Sequence, residues 1–196
     1  MNMIQNIKRG EATRSAYGAA TSTYKILKNG TVVRIRQIQA KDKHGIQLGM
    51  SQMSPQSRRN RFFSAIKNLP DQTLRDLVEV DHVNHDAWVA VTGPLHFPRP
   101  VGVARYVRDT HDPHIAEIAI AVVDTFQSQG MGSIFADVLL EAARNRGISE
   151  FMAVVLANNE KVLAMARKYG ATRQFLSPGE YEIRAQVDAM TQPALD

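Results

Sequence analysis

The sequence contains no cysteine at all. That excludes a disulfide framework, a thiolate nucleophile and any thiolate metal site. Long apolar stretches are missing too, since nothing approaches the roughly 18 residues needed to cross a bilayer as a helix. The first fourteen residues, Met1 to Arg14, have no apolar centre, so they do not read as a secretory signal. With no anchor and no leader legible, the expected location is cytoplasmic. Basic residues outnumber acidic ones by a net +5, but they are scattered, and the densest cluster is only Arg58, Arg59 and Arg61. A nucleic-acid binder concentrates its charge on one face or interleaves aromatics for stacking. Neither is legible, so the surplus points to a smaller anionic partner. No repeat or low-complexity tract interrupts the chain.

What is present suits one ordinary domain. The 196 residues are 44% hydrophobic and 22% charged, enough to bury a real core. Residues 1–20 are polar and lack periodicity, and read as a loose arm. Residues 21–187 read as the folded domain, and 188–196 as a tail. The first element is a hairpin: Tyr24–Leu27 and Val32–Ile35 flank Lys28-Asn29-Gly30-Thr31, and Asn-Gly is a strong tight-turn signal. A helix is expected over Lys41 to Met53. Ser54 then caps a new one, with Pro55 at its first position. The pattern continues as helix over Arg58–Asn68 and again over Asp71–Val80, with Pro70 between. The Arg58, Arg59 and Arg61 cluster reads as a solvated helix face, with steering of an acidic substrate patch as the alternative.

Strands follow at Asp86–Val91, Val101–Val107 and Ile115–Val123. Gly132–Asn145 carries an apolar stripe of helical period, with Ile134, Phe135, Val138, Leu139 and Ala142 on one side. Phe151–Leu156 is an unbroken apolar run, expected to be a central strand covered on both faces. Asn159–Tyr169 is helical, and Thr172–Leu176 and Tyr181–Val187 read as closing strands. The sum is an α/β fold, α+β in organisation, with one dominant mixed sheet and an N-terminal hairpin.

The informative segment is Val122-Val123-Asp124-Thr125-Phe126-Gln127-Ser128-Gln129-Gly130-Met131-Gly132-Ser133. It joins a buried strand to an amphipathic helix. Its two glycines let the backbone turn and admit a ligand without Cβ interference. The first amides of a helix have no intrahelical partner and lie at the positive end of its dipole. Together these make a cradle for phosphate or pyrophosphate. A P-loop reading fails for want of its Lys-Ser/Thr pair, and a dinucleotide reading fails because Phe135 stands where the third glycine belongs.

Gln127-x-x-Gly130-x-Gly132 resembles the signature of the GNAT superfamily of acetyl-CoA-dependent N-acetyltransferases. Asn159 through Gly170, an Asn opening a helix that ends in Lys-Tyr-Gly, resembles that family's next block. Leu27–Arg36, Ala40–Asp42 and Ser54–Phe63 narrow the likeness to one branch. That branch comprises the bacterial protein-lysine acetyltransferases that modify acyl-CoA synthetases and the acetyltransferase domains fused to such synthetases.

The resemblance implies an acetyl-CoA cosubstrate and no metal. It implies that Gln127, Ser128, Gln129, Gly130, Met131, Gly132 and Ser133 form the pyrophosphate loop. It implies that Ile120, Ala121 and Val122 offer backbone groups to the pantetheine amides, and that Asn159 caps its helix while bonding the same arm. Glu117, alone in the apolar run Ile115–Val123 and ten residues before Gln127, matches the family's general base. A competing reading pairs Glu117 with Arg105 on the neighbouring strand. The acceptor implied is a protein lysine such as one on an acyl-CoA synthetase, with a small amine or a non-catalytic acetyl-CoA sensor as alternatives. Two departures stand out: Ala166 occupies the position of the family's tyrosine acid, and Ala171 follows Gly170 in place of an aromatic. Tyr169 is expected to pack in the core. His82, His85, His111 and His114 lie in short pairs that read as loops and not as metal ligands.

Overall fold

The computed structural model describes residues 22–190. The arm expected at 1–20 and most of the expected tail, 191–196, lie outside the described residues.

One mixed sheet organises the chain. Its strands are β1 (Thr23–Ile26), β2 (Val32–Gln37), β3 (His85–Thr92), β4 (Arg99–Arg108), β5 (Ile115–Val122), β6 (Glu150–Leu156), β7 (Thr172–Ser177) and β8 (Glu180–Gln186). The spatial order is β1-β2-β3-β4-β5-β6-β8-β7. All neighbours are antiparallel except β5 and β6. That parallel pair is linked by α4 (Met131–Asn145), the crossover that parallel pairing requires. The helices are completed by α1 (Lys43–Ser51), α2 (Pro55–Phe62), α3 (Asp71–Val78) and α5 (Glu160–Lys168).

Alternation along the strands sorts the helices to two faces. On one face, Phe135 and Leu139 of α4 pack with Ala104, Tyr106, Ile118 and Ile120. Leu163 of α5 joins that side through Val155 and Ile183. On the other, Ala87 and Val89 meet Val78 of α3 and Ile46 of α1. Met190, beyond β8, is buried in the main core.

Two expectations change. The helix capped by Ser54 begins at Pro55 as expected but stops at Phe62 and not at Asn68, because Phe63 takes a left-handed conformation (φ 56°) that ends the hydrogen-bond ladder. β6 is not covered on both faces: Phe151 and Val155 are buried, while the residues between them stay half-buried.

Candidate active site

The half-buried state of β6 comes from an opening in the sheet. β5 and β6 pair only at Ile115–Glu150, Ala116–Phe151 and Glu117–Met152. Both strands then continue, to Val122 and Leu156, without further rungs between them. β5 stays fully paired with β4 along its other edge up to Val122. Its open edge therefore presents the backbone of Ile118 to Val122, all half-buried, to a cleft in the middle of the sheet. Backbone N–H and C=O groups along such an edge require partners. The sequence-predicted residues Ile120, Ala121 and Val122 lie along it, with backbone groups an extended amide-bearing chain could pair with.

At the wide end of this cleft stands the loop that heads α4. A one-turn 3-10 segment, Asp124–Phe126, follows β5 and buries Phe126. The chain then turns through Ser128 (φ 60°) and Gly130 (φ 90°) into α4. Gly130 is the N-cap and carries no side-chain cap. The first amide that donates along the helix is that of Ile134, to Gly130 O at 3.1 Å. The amides of Gly130, Met131, Gly132 and Ser133 precede it as the helix's unsatisfied donors. A Cβ on Gly132 would sit 3.2 Å from Met165 Sδ on α5, so the glycine lets the two helices close together. The bare backbone, the positive helix end and the glycine at the turn fit a pyrophosphate.

Gln127 is placed beneath this loop and braces it. Its Nε2 donates to Ser57 Oγ at 3.1 Å, Val122 O at 3.2 Å and Asp124 Oδ1 at 3.3 Å. Its Oε1 accepts from Lys161 Nζ at 3.1 Å. Asp124 Oδ2 in turn accepts from the amide of Ser54, the cap residue of α2. One amide side chain thus joins the end of β5, the loop, α2 and α5.

Glu117 occupies the last rung of the parallel pair, where the strands part. It sits on the face that packs on α1–α3, in a cross-strand row with Val107 and His85. Arg61 reaches toward it from α2, and the charge of Glu117 supports the protonated guanidinium there. Desolvation is the larger effect and pushes Arg61 down to about 10. Arg105 is fully buried on the same face, and its Nη1 donates to Leu77 O at 3.2 Å and to His85 Nε2 at 3.0 Å. Burial, then the nearby Arg61, pushes Arg105 down to about 9. His85 falls to about 3, driven by burial and then by Arg105. Arg61 is thus one cation on which Glu117 acts electrostatically.

The expectation that Arg58, Arg59 and Arg61 form a solvated face is overturned. Arg58 is buried, with its guanidinium donating to the carbonyls of Met53 and Ala65. Arg61 is half-buried with its guanidinium 4.9 Å from the Phe62 ring centroid. Only Arg59 is exposed. A short helix that packs on β5 turns two of its arginines inward.

Asn159 caps α5, accepting from the amide of Val162 at 3.5 Å, and is buried. Tyr169 packs in the core, 4% exposed, with its hydroxyl beside Ser133 and Asp137. Burial raises its pKa. His82 pairs with Asp86 at 2.7 Å. Among the described residues no group of three His, Asp or Glu side chains is placed to hold a metal.

Sequence reasoning missed Arg61, Ser57, Asp124 and Lys161 as neighbours of the site. Ser54-Pro55 fixes the start of α2, but nothing local shows that this helix lies on β5. The hairpin's contact with the loop, Lys28 N–H to Gln129 O at 3.1 Å, was equally invisible.

The comparisons with known proteins agree with this geometry. Residues 56–171 match the model of the acetyltransferase (GNAT) family. The chain is similar to acetyltransferase Pat of Mycolicibacterium smegmatis, 32% identical over 111 residues, 57% of this chain and 33% of that protein. It thus spans about a third of that relative's length. It is 27% identical to an acetyltransferase of Pseudomonas aeruginosa over 81% of this chain and 84% of that one. The GNAT domain of S. lividans PAT superposes with a TM-score of 0.77 at 25% identity, covering 84% of this chain and 96% of that domain. The loop, the cleft and the matched segment converge: this chain belongs to the GNAT family of acetyltransferases.

Proposed function

We propose that this chain transfers an acetyl group from acetyl-CoA directly to a primary amine, a lysine side chain of another protein, with Glu117 as general base. The observation that carries the reading is the position of Glu117. It stands at the last β5–β6 rung, at the apex of a cleft whose open end meets the unsatisfied amides of α4. A donor held by its pyrophosphate on those amides, with its amide-bearing arm along β5, has its reactive end directed toward the apex.

Bound acetyl-CoA supplies the thioester carbonyl. A free lysine ammonium has a pKa of about 10.4 and must lose its proton before it can attack. Glu117 takes that proton, directly or through one water, and the amine lone pair becomes available. The backbone along Ile120–Val122, with Asn159, orients the donor's amide-bearing arm, and the loop Gln127–Ser133 fixes its other end. The amine nitrogen bonds the carbonyl carbon as the C–S bond breaks; CoA leaves as thiolate and takes its proton from solvent, since Ala166 holds the place of the family's tyrosine acid and Tyr169 is turned into the core. The resemblance of Leu27–Arg36, Ala40–Asp42 and Ser54–Phe63 to the protein-lysine acetyltransferase branch supports a protein acceptor, and an acyl-CoA synthetase is the class proposed.

The test incubates the purified protein and its Glu117→Gln variant with labelled acetyl-CoA and host lysate. Label in discrete protein bands, lost in the variant, is the expected result. Label confined to small molecules would replace the acceptor by a metabolite amine. Acetyl-CoA binding with no transfer anywhere would replace the enzyme by a sensor.

A further inference from the structure

The turn of the N-terminal hairpin reaches the head of α4. Leu27, fully buried in the main core, anchors it. Gly30 N–H donates to Leu27 O at 2.8 Å, Leu27 N–H to Thr31 O at 2.9 Å, and Asn29 Oδ1 accepts from the Thr31 amide at 3.0 Å. The turn is therefore internally fixed, and Lys28 is its outward residue. The Lys28 amide donates to Gln129 O at 3.1 Å, and its Cγ lies 4.0 Å from where a Cβ on Gly130 would be. The stem of an exposed lysine is thus laid against the glycine that heads the anion cradle. Among the described residues its ammonium enters no ion pair, and α4 has no acidic residue in its first turn to receive it. Lys161 stands on the α5 side of the same loop, engaged by Gln127.

We infer that Lys28 is a binding residue for the cosubstrate, its ammonium holding a phosphate of acetyl-CoA on the hairpin side of the α4 loop. The inference rests on the acetyl-CoA reading above. A compact ammonium on a flexible stem suits a point contact to phosphate, where amides give the shape and the lysine gives the charge. The contact to Gln129 O holds the Lys28 backbone beside the loop. Two phosphates of the cosubstrate have this chemistry, the pyrophosphate and the ribose 3′-phosphate.

The experiment is calorimetric titration of the whole chain with acetyl-CoA and with its 3′-dephospho analogue, at two salt concentrations. Wild type is compared with Lys28→Ala, Lys28→Arg and a control at an exposed lysine away from the loop, Lys67→Ala. Lys28→Ala leaves the amide contact intact and removes only surface, so folding is retained, as a melting curve shows. The expected result is about five- to tenfold weaker acetyl-CoA binding in Lys28→Ala, a shallower salt dependence, and near-complete rescue by Lys28→Arg. Weakening toward both ligands places the ammonium on the pyrophosphate; weakening toward acetyl-CoA alone places it on the 3′-phosphate. Equal affinities for wild type and Lys28→Ala toward both ligands overturn the inference while the acetyl-CoA reading stands. A wild type that binds neither ligand overturns both.

Discussion

Gln127 Nε2 lies 3.1 Å from Ser57 Oγ, so the loop that heads α4 is tied to the helix that brings Arg61 toward Glu117. The two ends of the cleft are thereby mechanically joined through one amide side chain.

Gln127→Ala cuts this joint and leaves the acceptors Ser57 Oγ, Val122 O and Asp124 Oδ1 to water. A loss of about 1–2 kcal/mol in stability is expected, by the usual worth of such hydrogen bonds. The KM for acetyl-CoA should rise several-fold. Denaturant melts and steady-state kinetics check both.

Glu117→Gln keeps the shape of the side chain and removes its basicity. The turnover number should fall by about 10²–10⁴, the usual worth of a positioned base. Acetyl-CoA affinity should stay within about twofold, because the anion cradle lies at the other end of the cleft. Calorimetry beside kinetics separates the two effects.

Gly130→Val puts a branched side chain where φ is 90°, at the head of the proposed anion site. Binding of acetyl-CoA should drop by more than about tenfold, with a stability cost of about 1–3 kcal/mol from strain. Normal affinity in a folded variant would remove the loop from the cosubstrate site.

His85 carries a sign that can be worked out. Its folded pKa of about 3 lies below the ordinary 6.5, so between those values the unfolded chain binds more protons than the folded one. Stability must therefore rise with pH across that window and be fully present above 6.5, lost as pH falls toward 3. The slope from this group is up to about 1.4 kcal/mol per pH unit. His85→Gln keeps an acceptor for Arg105 and should flatten that part of the curve. Chemical denaturation from pH 4 to 8 measures it.

Much of the site was legible because its signals are local. Asn29-Gly30 marks the hairpin, and Gln127, Gly130 and Gly132 mark the loop, since backbone geometry there demands those residue types. What was not legible is non-local. Phe62, Ile66 and Leu69 keep a helical period past the true end of α2, yet Ile66 is 47% exposed and Leu69 is buried from a loop. Local pattern could not reveal that Phe63 breaks the ladder. The inward turn of Arg58 and Arg61 depends on the sheet beneath them, and the insertion of β8 between β6 and β7 on pairings far apart in sequence.

The bond between Lys28 and Gln129 joins residues about a hundred positions apart. Closing so long a stretch of chain is entropically slow. The hairpin's contact with the loop therefore forms only once the segment heading α4 has been made, much later in synthesis. Damage to the first hairpin is thus expected to reach a glycine turn that it never touches covalently.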